Sequence, residues 1–261
     1  MSPQTSPETD RDESGGGPIR VAVIGAGGRM GSTVCDAVEG ADDMELVGRY
    51  DDGDDLGDLG GADVAVEFAV PGASADNVAH CLEQGVHVVV GTSGWTQERL
   101  EPLRRQAEGA SANVLIAPNF AIGAVLMMQF AAQAARFYES VEVVELHHPQ
   151  KVDAPSGTAT RTAEVIAEAR AEAGLGDVPD ATTDDPDGAR GARVAGVPVH
   201  AVRLRGLVAH QEVLLGNTGE MLTLRHDSFD RVSFMPGVLA GVRGVGAHPG
   251  VTVGLEHYLG L

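Results

Sequence analysis

Apolar runs and polar breaks alternate with a regular beat through the first half of the chain. "IRVAVIGA" (19–26) is a β-branched apolar run between Pro18 and a glycine cluster, which predicts a buried strand. After the turn "GAGGRMG", the segment "STVCDAVEG" reads as a helix closed by Gly40. "MELVGRY" predicts a second strand, and "ADVAVEFAV" a third that ends at Pro71-Gly72. "SADNVAHCLEQG" reads as a helix stopped by Gly85, "VHVVVGT" as a fourth strand, "TQERLEPLRRQAEGA" as a polar helix and "NVLIAPN" as a fifth strand. Continuous apolar strands alternating with helices imply parallel βαβ units and an open sheet covered on both faces.

The pattern changes near residue 121. "IGAVLMMQFAAQAARFY" predicts a long apolar helix and "SVEVVELHH" a strand, followed by a helix from about Ser156 to Ala173. An acidic stretch from Gly174 to Gly196, with Gly and Pro, reads as a surface loop. "VPVHAVRLR", "HQEVLLG" and "EMLTLRH" are successive strands with short turns, which predicts a mixed or antiparallel sheet. "FDRVSFMPGVLAGVRGV" reads as helical despite Pro236. The expected division is a flexible acidic tail (1–17), a dinucleotide-binding domain (18–120), a second α+β domain (121–228) and a C-terminal segment (229–261) that the pattern alone assigns to neither.

Composition narrows the class. The chain has 261 residues and a formal charge of −20, which argues against nucleic acid as a partner because phosphates demand Lys and Arg. The acids are spread along the chain, lysine is nearly absent and aromatics are few, a surface suited to high salt, where self-repulsion is screened. No apolar run approaches the length of a membrane span. The N-terminus lacks the basic start and apolar middle of a secretory signal. The two cysteines, Cys35 and Cys81, lie in apolar helical segments and read as buried thiols, which fits a reducing cytoplasm.

The glycine turn lies after a strand and before a helix, the context of a dinucleotide fingerprint in a Rossmann-like doubly wound sheet. Gly25 permits the tight turn, and Gly27 lets backbone approach a pyrophosphate. The helix start near Arg29 offers free N–H groups and a positive dipole end. In G-x-G-x-x-G the third position falls on Met30, and Gly31 comes one residue late. An acid holding a ribose hydroxyl is expected at Asp51 or Asp52, which favours NADH, while Arg29 or Arg49 is able to meet the extra phosphate of NADPH. "GTSG" (91–94) and "APNF" (117–120) end the fourth and fifth strands, on the side where open sheets bind ligands.

The densest chemistry is "HHPQKVDAPSGT" (147–158). It contains Lys151, the only lysine in the chain; all other cationic side chains apart from histidine are arginine. An ammonium can give up a proton and a guanidinium effectively cannot, so a lysine kept here points to proton transfer or close charge stabilisation. Ser156 is a natural N-cap, and a helix start with Ser156, Gly157 and Thr158 is a ready carboxylate site. His147 and His148 are adjacent on a strand and so point to opposite faces. A metal pair would lack further ligands nearby.

Together, "VIGAGGRMG", "GTSG", "APNF" and above all "ELHHPQKVDAPSGT" resemble the 4-hydroxy-tetrahydrodipicolinate reductase (dihydrodipicolinate reductase) family, from about Ile19 to the C-terminus. The resemblance implies reduction of a small cyclic unsaturated dicarboxylate by NADH or NADPH, in the diaminopimelate route of lysine biosynthesis. It implies that His147 is the general acid or base and Lys151 a proton donor, with His148, Gly157 and Thr158 on the substrate, beside the Ser156 that the helix start already offers. It places the cofactor on Gly25, Ala26, Gly27, Gly28, Arg29 and Met30, on Asp51, on Gly91, Thr92 and Ser93, and on Ala117, Pro118, Asn119 and Phe120. It further implies a homotetramer built through the second domain's sheet, and a final helix that returns to the nucleotide domain. The connection from Asp51 to about Ala62 is shorter than in many family members.

Overall fold

The computed structural model describes residues 17–260; the tail expected over 1–17 lies almost wholly outside them. Six parallel strands form one sheet: β1 (Ile19–Ile24), β2 (Met44–Tyr50), β3 (Val64–Glu67), β4 (His87–Val90), β5 (Val114–Ile116) and β11 (Val251–Val253). Their order is β11-β5-β4-β3-β1-β2. α1 (Arg29–Glu39), α2 (Ser74–Glu83) and α3 (Gln97–Glu108) connect them. The strands are apolar on both faces because both faces are covered. Val21, Val23 and Val66 pack under α1, whereas Ala22, Ile24 and Ala65 pack with Val78 and Leu82 of α2. Each such Val, Leu or Ile side chain contributes about 1.5–3 kcal/mol by leaving water.

The chain leaves β2 at the sheet edge and re-enters on the other side of β1 as β3. This reversal of direction opens a crevice beyond the carboxyl ends of the strands. The glycine turn after β1 and Phe68 after β3 both sit at that crevice.

The second sheet has the order β10-β9-β6-β8-β7. Its strands are β6 (Ser140–His147), β7 (Ala192–Val194), β8 (Val197–Arg203), β9 (Ala209–Asn217) and β10 (Glu220–Ser228). Only the β6–β8 pair is parallel, so the sheet is mixed, as the short turns predict. α4 (Ile122–Ala135) and α5 (Gly157–Glu172) cover one face, where Met127, Ala131, Ile166, Val143 and Val213 form a core.

Three details differ from the sequence-based expectation. The stretch read as a plain surface loop contains β7, a three-residue edge strand held antiparallel to β8. Ion pairs from Arg190 and Arg193 to Asp180 pin its approach. The segment read as one helix from Phe229 is a 3₁₀ turn (Arg231–Phe234) followed by α6 (Met235–Gly244), with Pro236 near the start, where its missing N–H costs nothing. β11 was not anticipated, because "VTV" is too short to stand out; it exists by pairing with β5. α6 packs Val238 and Val242 into the core of the first sheet. Among the described residues, no helix is long and apolar enough to cross a membrane.

Candidate active site

The register of the second sheet accounts for the site. Residues directly opposite one another on neighbouring strands share a face. On the helix-covered face, one row is apolar: Val199, Val143, Val213 and Leu224. The next row is Ala201, Glu145, Gln211 and His226, and the last is Arg203, His147, Ala209 and Ser228. One face thus changes from core to polar wall over two residues of strand.

Glu145 is the hub of that wall and is fully buried. Both its oxygens accept from Arg203, each at 2.8 Å. Oε2 also accepts from His147 Nδ1 at 2.5 Å, and Oε1 from the Ser156 backbone N–H at 3.1 Å. Burial acts to raise its pKa, but the hydrogen bonds from Arg203 and His147 outweigh it and hold the carboxyl below the ordinary range. An ionised carboxylate is only an acceptor, so His147 carries its proton on Nδ1 and keeps Nε2 for another partner. Burial pushes the His147 pKa down; Glu145 opposes that shift, and the positive charges of Lys151 and Arg203 add to it.

Lys151 is paired with Asp153 on the loop between β6 and α5. Burial tends to raise the Asp153 pKa, but the Lys151 ammonium holds it below the ordinary value. Ser156 caps α5 as expected: its Oγ accepts from Ala159 N–H at 3.2 Å. Its Oγ, as an acceptor, and its N–H are therefore both engaged within the protein. Gly157 and Thr158 form the first turn of α5 and line the cavity.

That cavity, of about 560 Å³, is bounded by His147, Lys151, Ser156, Gly157 and Thr158 on one side. On the other side stand Met30, Gly91, Ser93 and Ala117 to Phe120, so turns predicted from distant parts of the chain converge here. Asn119 joins the two sides, donating from Nδ2 to Thr158 Oγ1 at 3.1 Å. Two predicted residues stand apart from the wall. Thr92 is buried, with its hydroxyl donating to the Ala69 carbonyl at 3.2 Å. His148 does not line the cavity, and its Nδ1 is buried with no partner among the described residues. The physical reason is the alternation of a strand: with His147 on the cavity face, its neighbour points elsewhere.

A second cavity of about 290 Å³ lies at the strand crossover, lined by Gly25, Gly28, Asp51, Asp52 and Phe68 among others. The turn fits a dinucleotide on three observations. Gly25 has φ +85°, and a Cβ there would fall 2.5 Å from the Phe68 carbonyl oxygen. Gly28 caps α1 with no side chain, and the first turn of α1 holds no acid, so its N–H groups and dipole suit a phosphate. Gly27 and Gly28 are exposed, whereas Ala26 is buried, its N–H held 3.1 Å from the Tyr50 carbonyl. Arg29 is exposed, and Met30 reaches the larger cavity. Gly27 N–H donates to both Asp51 oxygens at 2.9 Å, so Asp51, and not Asp52, is tied to the turn.

The turn also corrects the fingerprint. A Cβ on Gly31 would lie 1.9 Å from the Gly25 carbonyl oxygen. The backbone requires glycine at Gly25 and Gly31, a Cβ on Gly28 would be merely tight at 3.1 Å from the Gly25 carbonyl oxygen, and Gly31 lets α1 press against the turn. The late third glycine in the sequence was the available signal. Gly31→Val is expected to lower Tm by about 3–10 °C and to weaken NADH binding at least about tenfold, checked by thermal melts and nicotinamide fluorescence titration.

Residues 19–120 match the family model described as dihydrodipicolinate reductase, N-terminus, and residues 123–259 the one described as its C-terminus. The chain belongs to the dihydrodipicolinate reductase family. The 4-hydroxy-tetrahydrodipicolinate reductase of Cutibacterium acnes is 63% identical over 93% of this chain and 99% of its own. That of Streptomyces coelicolor is 61% identical over 93% and 98%. The dipicolinate-bound dihydrodipicolinate reductase from Paenisporosarcina sp. TG-14 superposes with a TM-score of 0.81 at 39% identity, covering 92% of this chain and 99% of that one. Dihydrodipicolinate reductases use NADH or NADPH, which agrees with the fit of the glycine turn.

Glu145, Arg203, Gln211 and His226 are the wall residues that sequence reasoning did not select. Glu145 had a readable signal: it occupies the odd-numbered, apolar face of "SVEVVELH", where a charge needs a partner.

Proposed function

We propose that this chain is a 4-hydroxy-tetrahydrodipicolinate reductase, an NAD(P)H-dependent oxidoreductase. It takes up one hydride and one proton and releases one water, converting its cyclic dicarboxylate substrate to tetrahydrodipicolinate in the diaminopimelate route of lysine biosynthesis. The observation that carries this reading is the Glu145-held His147 beside Lys151, on a cavity whose opposite wall is built from the nucleotide-side turns.

When bound, the reduced nicotinamide supplies a hydride to an electron-poor ring carbon. Its phosphates would lie against Gly25 to Met30, its ribose at Asp51, and the nicotinamide end near Gly91 to Ser93 and Ala117 to Phe120. The protein supplies orientation and protons. The start of α5, with Gly157 and Thr158, presents N–H groups to one carboxylate, and such fixing of the ring supplies much of the rate. His147 Nε2 is the nitrogen free to pass a proton, since Nδ1 is bound to Glu145, and Lys151 is the second proton donor. His148 belongs to this proposal through the family resemblance, and it reaches the substrate only if its ring turns toward the cavity.

The proposed division is a nucleotide unit of residues 18–120 with 229–261 beside it, and a substrate and oligomerisation unit of 121–228. The sheet face away from α4 and α5 carries the exposed Val202 and Met221, which supports a homotetramer formed across it. Two buried free cysteines support a cytoplasmic setting, and the charge of −20 supports optimal activity in high salt.

The test is NADH and NADPH oxidation at high salt, with substrate made in situ by the upstream synthase from pyruvate and aspartate semialdehyde. Wild type is expected to oxidise cofactor rapidly. Lys151→Ala is expected to lose about 10²-fold or more in kcat, and Lys151→Arg is expected not to rescue it, because a guanidinium does not release its proton. A folded, cofactor-binding wild type without turnover would overturn the proposal and favour a nucleotide sensor.

A further inference from the structure

Gln211 stands in the middle of the cavity's sheet wall, paired with Glu145 of β6 on one side and His226 of β10 on the other. The residue is only 4% exposed. Its Nε2 donates to Thr162 Oγ1 at 2.8 Å, and that hydroxyl donates onward to the Thr158 carbonyl at 2.8 Å. This relay decides which way the amide points. Thr162 has one proton, spent on the carbonyl, so its oxygen can only accept, and the Gln211 NH₂ must face it. Oε1 is then turned the other way, buried and with no partner among the described residues.

A buried acceptor without a donor is costly, and native proteins rarely leave one unless something else completes it. Several of the strongest donors around the cavity are engaged elsewhere. Arg203 is held by Glu145 and the Asp153 carbonyl, Lys151 by Asp153, and the Ser156 N–H by Glu145. Ser228 Oγ is bound to Ser233 and the Asp230 carbonyl. A ligand that enters the cavity is a source for the missing donor.

This step rests on the proposed reading of the cavity as the substrate site. The substrate's two ionised carboxylates and its ring imine nitrogen are acceptors. Its ring hydroxyl is the group that brings a proton. We propose that Gln211 is a specificity-determining residue whose Oε1 accepts the hydrogen bond of the substrate's ring hydroxyl. It favours the hydroxylated ring over the dehydrated one, and it turns carboxylates away toward the start of α5.

The experiment is calorimetric titration of the NADH-loaded protein with dipicolinate and with 4-hydroxypyridine-2,6-dicarboxylate, in wild type, Gln211→Met and Thr162→Val. Wild type is expected to prefer the hydroxylated ligand. Gln211→Met removes the acceptor at similar volume and is expected to lose that preference by about 3- to 10-fold. The KM of the hydroxylated substrate should rise in step, with dipicolinate affinity within about twofold of wild type. Thr162→Val leaves Oε1 in place but frees the amide to rotate, and is expected to show a smaller loss of the same kind. Equal weakening of both ligands means a merely structural role and overturns the proposal, as does an unchanged preference in both variants. Failure of either ligand to bind wild type instead overturns the substrate-site reading, and this inference falls with it.

Discussion

His147→Gln is expected to lower kcat by about 10²–10⁴-fold while NADH affinity stays within about twofold. The reason is the division of labour on one ring. Glu145 holds Nδ1 at 2.5 Å, so proton exchange with a ligand is left to Nε2. Glutamine keeps a donor and an acceptor near that position but has no proton to exchange at neutral pH. The glycine turn that would bind the cofactor is on the other sheet, and its geometry does not depend on His147. Steady-state kinetics and cofactor titration of the same sample check both halves. A parallel loss of cofactor binding would mean that the substitution had disturbed the interface between the two walls.

Glu145→Gln is expected to damage both stability and the pH profile. It leaves the Arg203 charge without its carboxylate; breaking such a pair from one side typically costs about 3–5 kcal/mol, read as a lower denaturation midpoint. The sign of the pH effect follows from two groups. The Glu145 pKa lies below its ordinary value in the folded protein, so its ionised form adds stability above the unfolded pKa, and that contribution is lost as pH falls through the folded one. Wild type should therefore lose more stability on acidification than the variant. His147 is already depressed by burial, and Glu145 works against that depression. Without the carboxylate the His147 pKa falls further, and the alkaline limb of kcat/KM moves to lower pH. A limb that stays in place would remove His147 from the role of proton donor.

Much of the candidate site was legible because it is written in local sequence. The tight turn at Gly25, the N-cap at Ser156 and the lone lysine are each decided by a few neighbouring residues, whereas the third strand, read as running to Pro71, already ends at Glu67. The strands of the first sheet were also legible, since burial on both faces leaves unbroken apolar runs such as "VAVI". The role of Gly31 was half visible: the spacing was there, but only the 1.9 Å approach to the Gly25 carbonyl gives it a reason.

The rest depends on contacts between residues far apart in the chain. Glu145 and Arg203 are 58 positions apart, and Asn119 and Thr158 are 39 apart. Gln211 and His226 read as ordinary polar positions on half-exposed strands. They become a cavity wall only when β6, β9 and β10 pair in one register, and a shift by one residue would turn every one of them to the other face. β11 likewise has no local identity and is a strand because β5 offers it an edge. The sequence by itself determined the element types, the glycine turn and the candidate side chains for proton transfer, because backbone conformation and functional-group chemistry are local properties. Tertiary structure alone decided which side chains share a wall, which ring nitrogen of His147 is free and which buried oxygen is left without a partner. Those outcomes depend on strand register and burial, which no short window of sequence encodes.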